Sequence, residues 1–185
     1  MRGVISRFPE TYAHLETRAL LQAFEAGPRR LRQAIAGLTR EELRARPESG
    51  VWCIQEVVMH VADSELNGAA RIRLVRAQPG SSFFSYDQDV WALAFHYRDA
   101  SDQELESAIE LFEALRVTTL RVFTSAGDAD WHATGIHPEN GTVTLRNLLE
   151  LYADHSERHI QQIVTRRGVL GNPLILPPLL EERLY

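Results

Sequence analysis

Lysine is absent from this chain: its 20 lysine-plus-arginine positions are all arginine. That removes every chemistry built on a side-chain amine, from a Schiff base or pyridoxal-phosphate anchor to the lysine of a Walker A phosphate loop. Cysteine is nearly absent too. Cys53 is the one thiol, which excludes an intrachain disulfide, a CxxC redox pair and a metal site built mainly of thiolates. No apolar run approaches the ~18 residues of a membrane span. The opening Met1-Arg2-Gly3-Val4-Ile5-Ser6-Arg7 has charge at both ends and no long apolar stretch, unlike a secretory signal. A soluble, cytoplasmic protein with no membrane partner is therefore expected. Positive charge is in deficit as well, the formal net charge being -5. No nucleic-acid partner is expected from such a balance, and Arg71, Arg73 and Arg76 read as a solvated helix face.

What the chain does have is helical periodicity. Its 185 residues, 44% of them hydrophobic, suit a single domain over 1–185 with an ordinary core. Residues 10–25 carry Leu15, Ala19, Leu20 and Phe24 near helical spacing, and Gly27-Pro28 interrupts them. Leu31, Ile35 and Leu38 continue a stripe beyond it. Thr39-Arg40-Glu41-Glu42 and Ser101-Asp102-Gln103-Glu104 have the capping-box form. The first opens a short helix ending near Arg46-Pro47, the second a long one reaching about Ser125. Between them Ile54, Val57, Val58 and Val61 mark the buried stripe of a helix over about 53–77. Residues 81–100 form a long, aromatic-rich connection, of a length that usually has a task such as covering a site. An irregular stretch with room for a short hairpin leads to Thr144, which caps a last helix over about 145–167, ended by Gly168. The proline-rich tail, 171–185, packs on the body or on a partner chain. The sum is an all-α, up-down four-helix bundle with short extra helices.

Bundle cores are natural metal sites, and the histidines suggest one. His155 and His159, four apart, share a helix face and can take one ion. Seven histidines can produce such a pair by chance, so the spacing is a weak signal. His60 is the best-placed third ligand, mid-helix beside the Val57/Val61 edge. Its plainer reading is a hydrogen-bonded histidine at the edge of the core. Asp63 or Ser64, Asn67 and Arg71 follow His60 at steps of three or four. That stripe is either plain surface or the wall of a wet cleft, and its amide and guanidinium suit a carboxylate-bearing ligand.

Several separated segments carry a family resemblance. Trp52-Cys53-Ile54-Gln55-Glu56-Val57-Val58-Met59-His60-Val61-Ala62-Asp63-Ser64 resembles the first conserved block of the DinB-like superfamily, in particular its YfiT-like branch. Tyr86-Asp87-Gln88-Asp89-Val90-Trp91 resembles that branch's loop segment. His137-Pro138-Glu139, Val143-Thr144-Leu145 and Leu151 to Ile160, with Asp154-His155-Ser156-Glu157-Arg158-His159, resemble its C-terminal blocks. The resemblance spans roughly Leu31 to Ile163. It implies a four-helix bundle with one divalent transition metal ion (zinc, nickel or iron) on His60, His155 and His159, and a homodimer. It also implies an enzyme acting on a small-molecule substrate, either a metal-dependent hydrolase or a transferase of a low-molecular-weight thiol such as bacillithiol or mycothiol. The alternative is a non-catalytic metal- or small-molecule-binding dimeric module.

An open-faced three-histidine site supports both reactions, because a bound ion acidifies water and thiols alike. No catalytic residue is assigned. Asn67, Arg71, Tyr86, Asp89, Trp91 and His137 are candidate substrate contacts. Asp63, Asp89, Asp154 and Glu157 are candidate acceptors behind the histidine rings, the plainer reading of each being a surface charge. Cys53 departs from the serine or threonine usual in the family and is a poor cap, at a local cost of about 1 kcal/mol. It reads as a small buried residue, or else as a reactive thiol at a helix N-terminus.

Overall fold

The computed structural model describes residue 12 and residues 14–48 and 50–180. The opening heptapeptide and the end of the tail, 181–185, lie outside the described residues. Four long helices make the bundle: α1 (Thr17–Ile35), α3 (Ile54–Ala77), α5 (Asp102–Thr124) and α6 (Leu145–Val169). Two short helices, α2 (Arg40–Arg44) and α4 (Gln88–Ala94), sit in the connections. The hairpin is there too, β1 (Thr134–His137) paired antiparallel with β2 (Gly141–Thr144). Among the described residues no helix is long and apolar enough to cross a membrane.

The helices start where the sequence marks them. Ser101 Oγ accepts the Glu104 N–H at 3.2 Å, and the Glu104 carboxylate takes the Ser101 N–H at 2.7 Å. Thr39 and Glu42 do the same for α2, and Thr144 with Asn147 for α6. At Cys53 one half of this exchange survives: the Glu56 carboxylate accepts the Cys53 N–H at 2.7 Å. The thiol itself is fully buried, and burial pushes its pKa up to about 11, so it is a packing residue rather than a reactive thiolate.

Gly27-Pro28 does not interrupt the first helix; α1 runs straight through, with Pro28 inside it. A proline there has no N–H for the carbonyl of Phe24, four residues back. Arg116 of α5 supplies the missing donor, its Nη1 meeting the Phe24 oxygen at 2.9 Å. Gly27 makes the approach possible, since a β-carbon would lie 3.3 Å from both Arg116 Nη1 and Ser156 Oγ.

Cross-helix pairings give the directions. Arg146 bonds Thr17 and Arg167 bonds the Ala34 carbonyl, so α1 and α6 run parallel. Gln55 reaches Ala100, Arg116 pairs with Glu65 and Arg73 bonds Thr119, so α3 and α5 are parallel as well. Phe24 meets Phe123 while Arg32 meets Glu106, which sets α1 against α5. The order is up, down, down, up, a more particular pattern than simple alternation. A parallel α3/α5 pair needs a return segment as long as the bundle, since the 24 residues of α3 extend about 36 Å. Residues 78–101 are that return. They start at the hairpin, where Phe83 N–H bonds the Ile136 carbonyl, and end where Gln55 bonds the Tyr97, Arg98 and Ala100 carbonyls.

The core has two apolar halves. One holds Leu20, Phe24, Ile72, Val75, Phe123 and Leu148; the other holds Leu31, Val57, Val61, Ile109, Phe112 and Ile160. Between them lies a polar layer with Glu65, Arg116, Ser156 and Glu157, all nearly inaccessible. Glu65 and Arg116 pair at 2.9 Å, and Arg30 holds Glu157 at 2.6 Å. The tail packs on the body, not outward: Pro177 and Leu176 carbonyls accept from Arg30 and Gln161, and Leu180 is buried.

Candidate metal centre and its cleft

His60 sits on the α3 flank of this layer and His155 and His159 on the α6 flank. Helices α3 and α6 run antiparallel, so the first turns of one face the middle of the other. His155 Nε2 lies 3.2 Å from His60 Nε2 and 3.2 Å from His159 Nε2. All three ligand atoms fall within 4.8 Å of one another. Gly68 is what lets the two helices come so close: a β-carbon there would meet the Tyr152 ring at 2.3 Å.

The donor set fits one divalent ion. Burial pulls all three imidazole pKa values down; the neighbouring rings lower His60 and His155 further, Arg158 and Arg166 lower His159, and His159 reaches about 4. The rings are therefore neutral near pH 7, as metal ligands must be. Gln162 Oε1 stands 2.8 Å from His159 Nδ1, which places the proton on that nitrogen and leaves the Nε2 lone pair facing the cluster. Bonds of ~2.0 Å at tetrahedral angles would hold ligand nitrogens ~3.3 Å apart, close to the spacing found. Trp52 covers one side of His60, ring centroids 5.0 Å apart. The Nδ1 of His60 is buried without a partner among the described residues.

A narrow cleft of ≈ 50 Å³ opens from His60 and His155 and runs along α3 under the return segment. Arg71, Tyr86 and His137, three of the residues picked out as substrate contacts, line it together with Ser64 and Tyr152. Ser64 Oγ is 3.4 Å from His155 Nε2, and Tyr86, its hydroxyl bonded to Ser64, has its pKa raised by burial. At the far end Arg71 donates to the Phe84 carbonyl and the Tyr152 hydroxyl. Burial raises the Tyr152 pKa to about 12. His137 falls to about 4 through burial first and the Arg71 guanidinium second.

The other three candidate substrate contacts lie elsewhere. Asn67 is buried but turns back on its own helix, bonding the Asp63 carbonyl at 2.8 Å. Asp89 is exposed, in the first turn of α4. Trp91 is half-buried and packs on Tyr86, centroids 4.6 Å apart, so it supports the cleft wall rather than lining it. The carboxylates that were candidates for a place behind the histidines are otherwise engaged: Asp63 accepts from Tyr97, Asp154 from Tyr12 and Arg158, and Glu157 from Arg30. An amide, Gln162, holds His159 instead. Ser64, four residues after His60, and Tyr152, three before His155, share the ligand faces by helical spacing. That spacing was the signal available for both.

Residues 23–163 match the model of the DinB superfamily. The chain belongs to the DinB superfamily. A relative in Bacillus licheniformis, named a putative metal-dependent hydrolase, is 30% identical over 145 residues, covering 78% of this chain and 81% of its own. One of the same name in Oceanobacillus iheyensis is 28% identical over 138 residues, covering 75% and 78%. The solved structure of YfiT from Bacillus subtilis, described as a probable metal-dependent hydrolase with an unusual four-helix bundle topology, matches at a TM-score of 0.77. It is 26% identical and covers 83% of this chain and 87% of that one.

Proposed function

We propose that this DinB-superfamily protein is a divalent-metal-dependent enzyme that turns water or a low-molecular-weight thiol against a small-molecule electrophile. His60, His155 and His159 are the ligands of one zinc, nickel or iron ion. The convergence of three neutral Nε2 atoms carries this reading, since no side-chain group at their focus other than a cation would use all three lone pairs. An ion held there supplies Lewis acidity, which lowers the pKa of water or of a thiol into the neutral range. The remaining work falls to the chain. Ser64 places a hydroxyl beside the ligand cluster, Arg71 and His137 hold the distal end of the substrate, and the return segment keeps bulk water out.

Elemental analysis of the purified protein tests the ligand set. One metal per chain in the wild type and none in His60→Ala or His155→Ala is expected; wild type without stoichiometric metal would sink the triad. Ester and amide hydrolysis assayed beside conjugation of a thiol to an electrophile assigns the reaction, and a chelator should abolish whichever is found. The reading extends to a homodimer. Phe84, Val90, Leu93 and Phe95 leave the return segment strongly apolar and exposed, and light scattering should find two chains per particle.

A further inference from the structure

Ser64 lies one helical turn beyond His60 on the same face of α3 and is buried. A hydroxyl inside a helix usually bonds back to a carbonyl of the preceding turn. Ser156, Thr118 and Thr165 do so, reaching the carbonyls of Tyr152, Ala114 and Gln161. Ser64 does not. Its Oγ turns into the cleft, 3.4 Å from His155 Nε2 and hydrogen-bonded to the Tyr86 hydroxyl.

Tyr86 comes from the return segment rather than from the bundle, yet its place is well fixed. Asp87, its neighbour, caps α4 by accepting the Asp89 and Val90 N–H groups at 2.9 and 3.2 Å. Trp91 of α4 packs on the Tyr86 ring, and Phe95 packs on Trp91 with centroids 5.4 Å apart. Tyr97 closes this row. It is buried, and its hydroxyl donates to Asp63, the residue before Ser64. The return segment is thus fastened to α3 at Asp63 and delivers a phenol to the adjacent Ser64.

Donor and acceptor roles decide what the two hydroxyls can do. A phenol keeps its proton at neutral pH, and conjugation with the ring makes it the better donor and the poorer acceptor of the pair. Tyr86 therefore donates to Ser64 Oγ, and the Ser64 proton points onward. With the histidines free, His155 Nε2 can accept it. An ion on the three Nε2 atoms takes that lone pair away. The Ser64 proton is then left facing the group that shares the ion.

We infer that Ser64 and Tyr86 form a hydroxyl pair that donates one hydrogen bond to an anionic group held at the open position of the metal centre, hydroxide or thiolate in the proposed reaction. Ser64 makes the contact, and Tyr86 is a positioning residue that acts through it. This rests on the three histidines holding an ion, and it adds that a residue of the return segment completes their site. A hydroxide or thiolate that accepts this bond is fixed in direction rather than free to turn, which favours attack on a substrate seated in the cleft.

Azide titration of the cobalt(II)-loaded protein, followed by visible absorption, tests this, azide being an anion that binds such an ion and accepts a hydrogen bond. Cobalt content should be the same in wild type, Ser64→Ala and Tyr86→Phe, since neither side chain is a ligand. Azide affinity should fall about tenfold in Ser64→Ala, the worth of a hydrogen bond to a charged group. Ser64→Thr, which keeps the hydroxyl, should recover most of it. Tyr86→Phe keeps the ring on Trp91 and should cost about threefold, with no further loss in the Ser64→Ala background. A role for Tyr86 in holding the roof alone would give additive losses instead. Unchanged azide affinity in Ser64→Ala, or additive losses in the double variant, would overturn the inference and leave the triad intact. Wild type that takes up no cobalt would remove the triad, and the pair with it.

Discussion

Gly68 and Gln162 each do one thing for the histidine cluster, and each can be removed singly. A methyl at Gly68 would enter the Tyr152 ring. Relief requires moving that ring or separating α3 from α6, so Gly68→Ala should destabilise by about 1–3 kcal/mol. A urea titration reads the change in midpoint. Gln162 acts through a proton rather than through space. Its Oε1 holds His159 in the tautomer that leaves Nε2 free. Gln162→Leu has no acceptor to offer, and metal affinity should fall by about 10–100-fold while stability hardly changes. Competition against a chromophoric chelator measures it.

At the scale of elements the polar layer is where helices are joined. Arg116 of α5 reaches the other three long helices: it pairs with Glu65 of α3, donates to the Phe24 carbonyl of α1 and the Tyr152 carbonyl of α6, and lies over the Phe24 ring. Arg116→Met would strand the Glu65 carboxylate and should cost about 3–5 kcal/mol. Part of that cost comes from the carbonyl that Pro28 cannot serve. In a Pro28→Ala background the alanine N–H serves it, so the same Arg116→Met should cost about 1 kcal/mol less. Additive behaviour in the double-mutant cycle would show that the two residues do not compensate each other. Here the limits of the sequence are plain. Caps at Thr39, Ser101 and Thr144, and the i, i+4 histidine pair, are local patterns and could be read directly. Pro28 reads as a helix break because its compensation comes from Arg116, a side chain on a helix far along the chain. The acceptor behind His159 is not legible in the sequence for a related reason. Carboxylates near the histidines in sequence are drawn off by Tyr12, Arg30 and Tyr97, partners that only the packing reveals.

For the whole molecule, pH stability has a defined window. His137 titrates near 4 when folded, against an ordinary value of 6.5. Between those values the unfolded chain binds a proton that the folded one refuses, so stability falls as pH drops below about 6.5. Cys53 works at the other end. Its folded pKa is raised from 9.0 to about 11, so above about 9 the unfolded thiol ionises first and stability falls as pH rises. A thermal melting series should therefore be flat between the two limits and slope downward outside them, with Cys53→Ser flattening the alkaline limb and leaving the acid limb in place.

The parallel α3/α5 pair has a consequence for how such a protein can diversify. The return segment cannot be shorter than the bundle is tall, but nothing in the topology limits it from above. Lengthening it is inexpensive in closure entropy, about 0.6 kcal/mol for each doubling. Its residues form the roof over the cleft, while the histidines stand on rigid helices beneath. Insertions there would remodel substrate choice and leave the metal-binding geometry as it is, so selectivity and reactivity are free to vary separately.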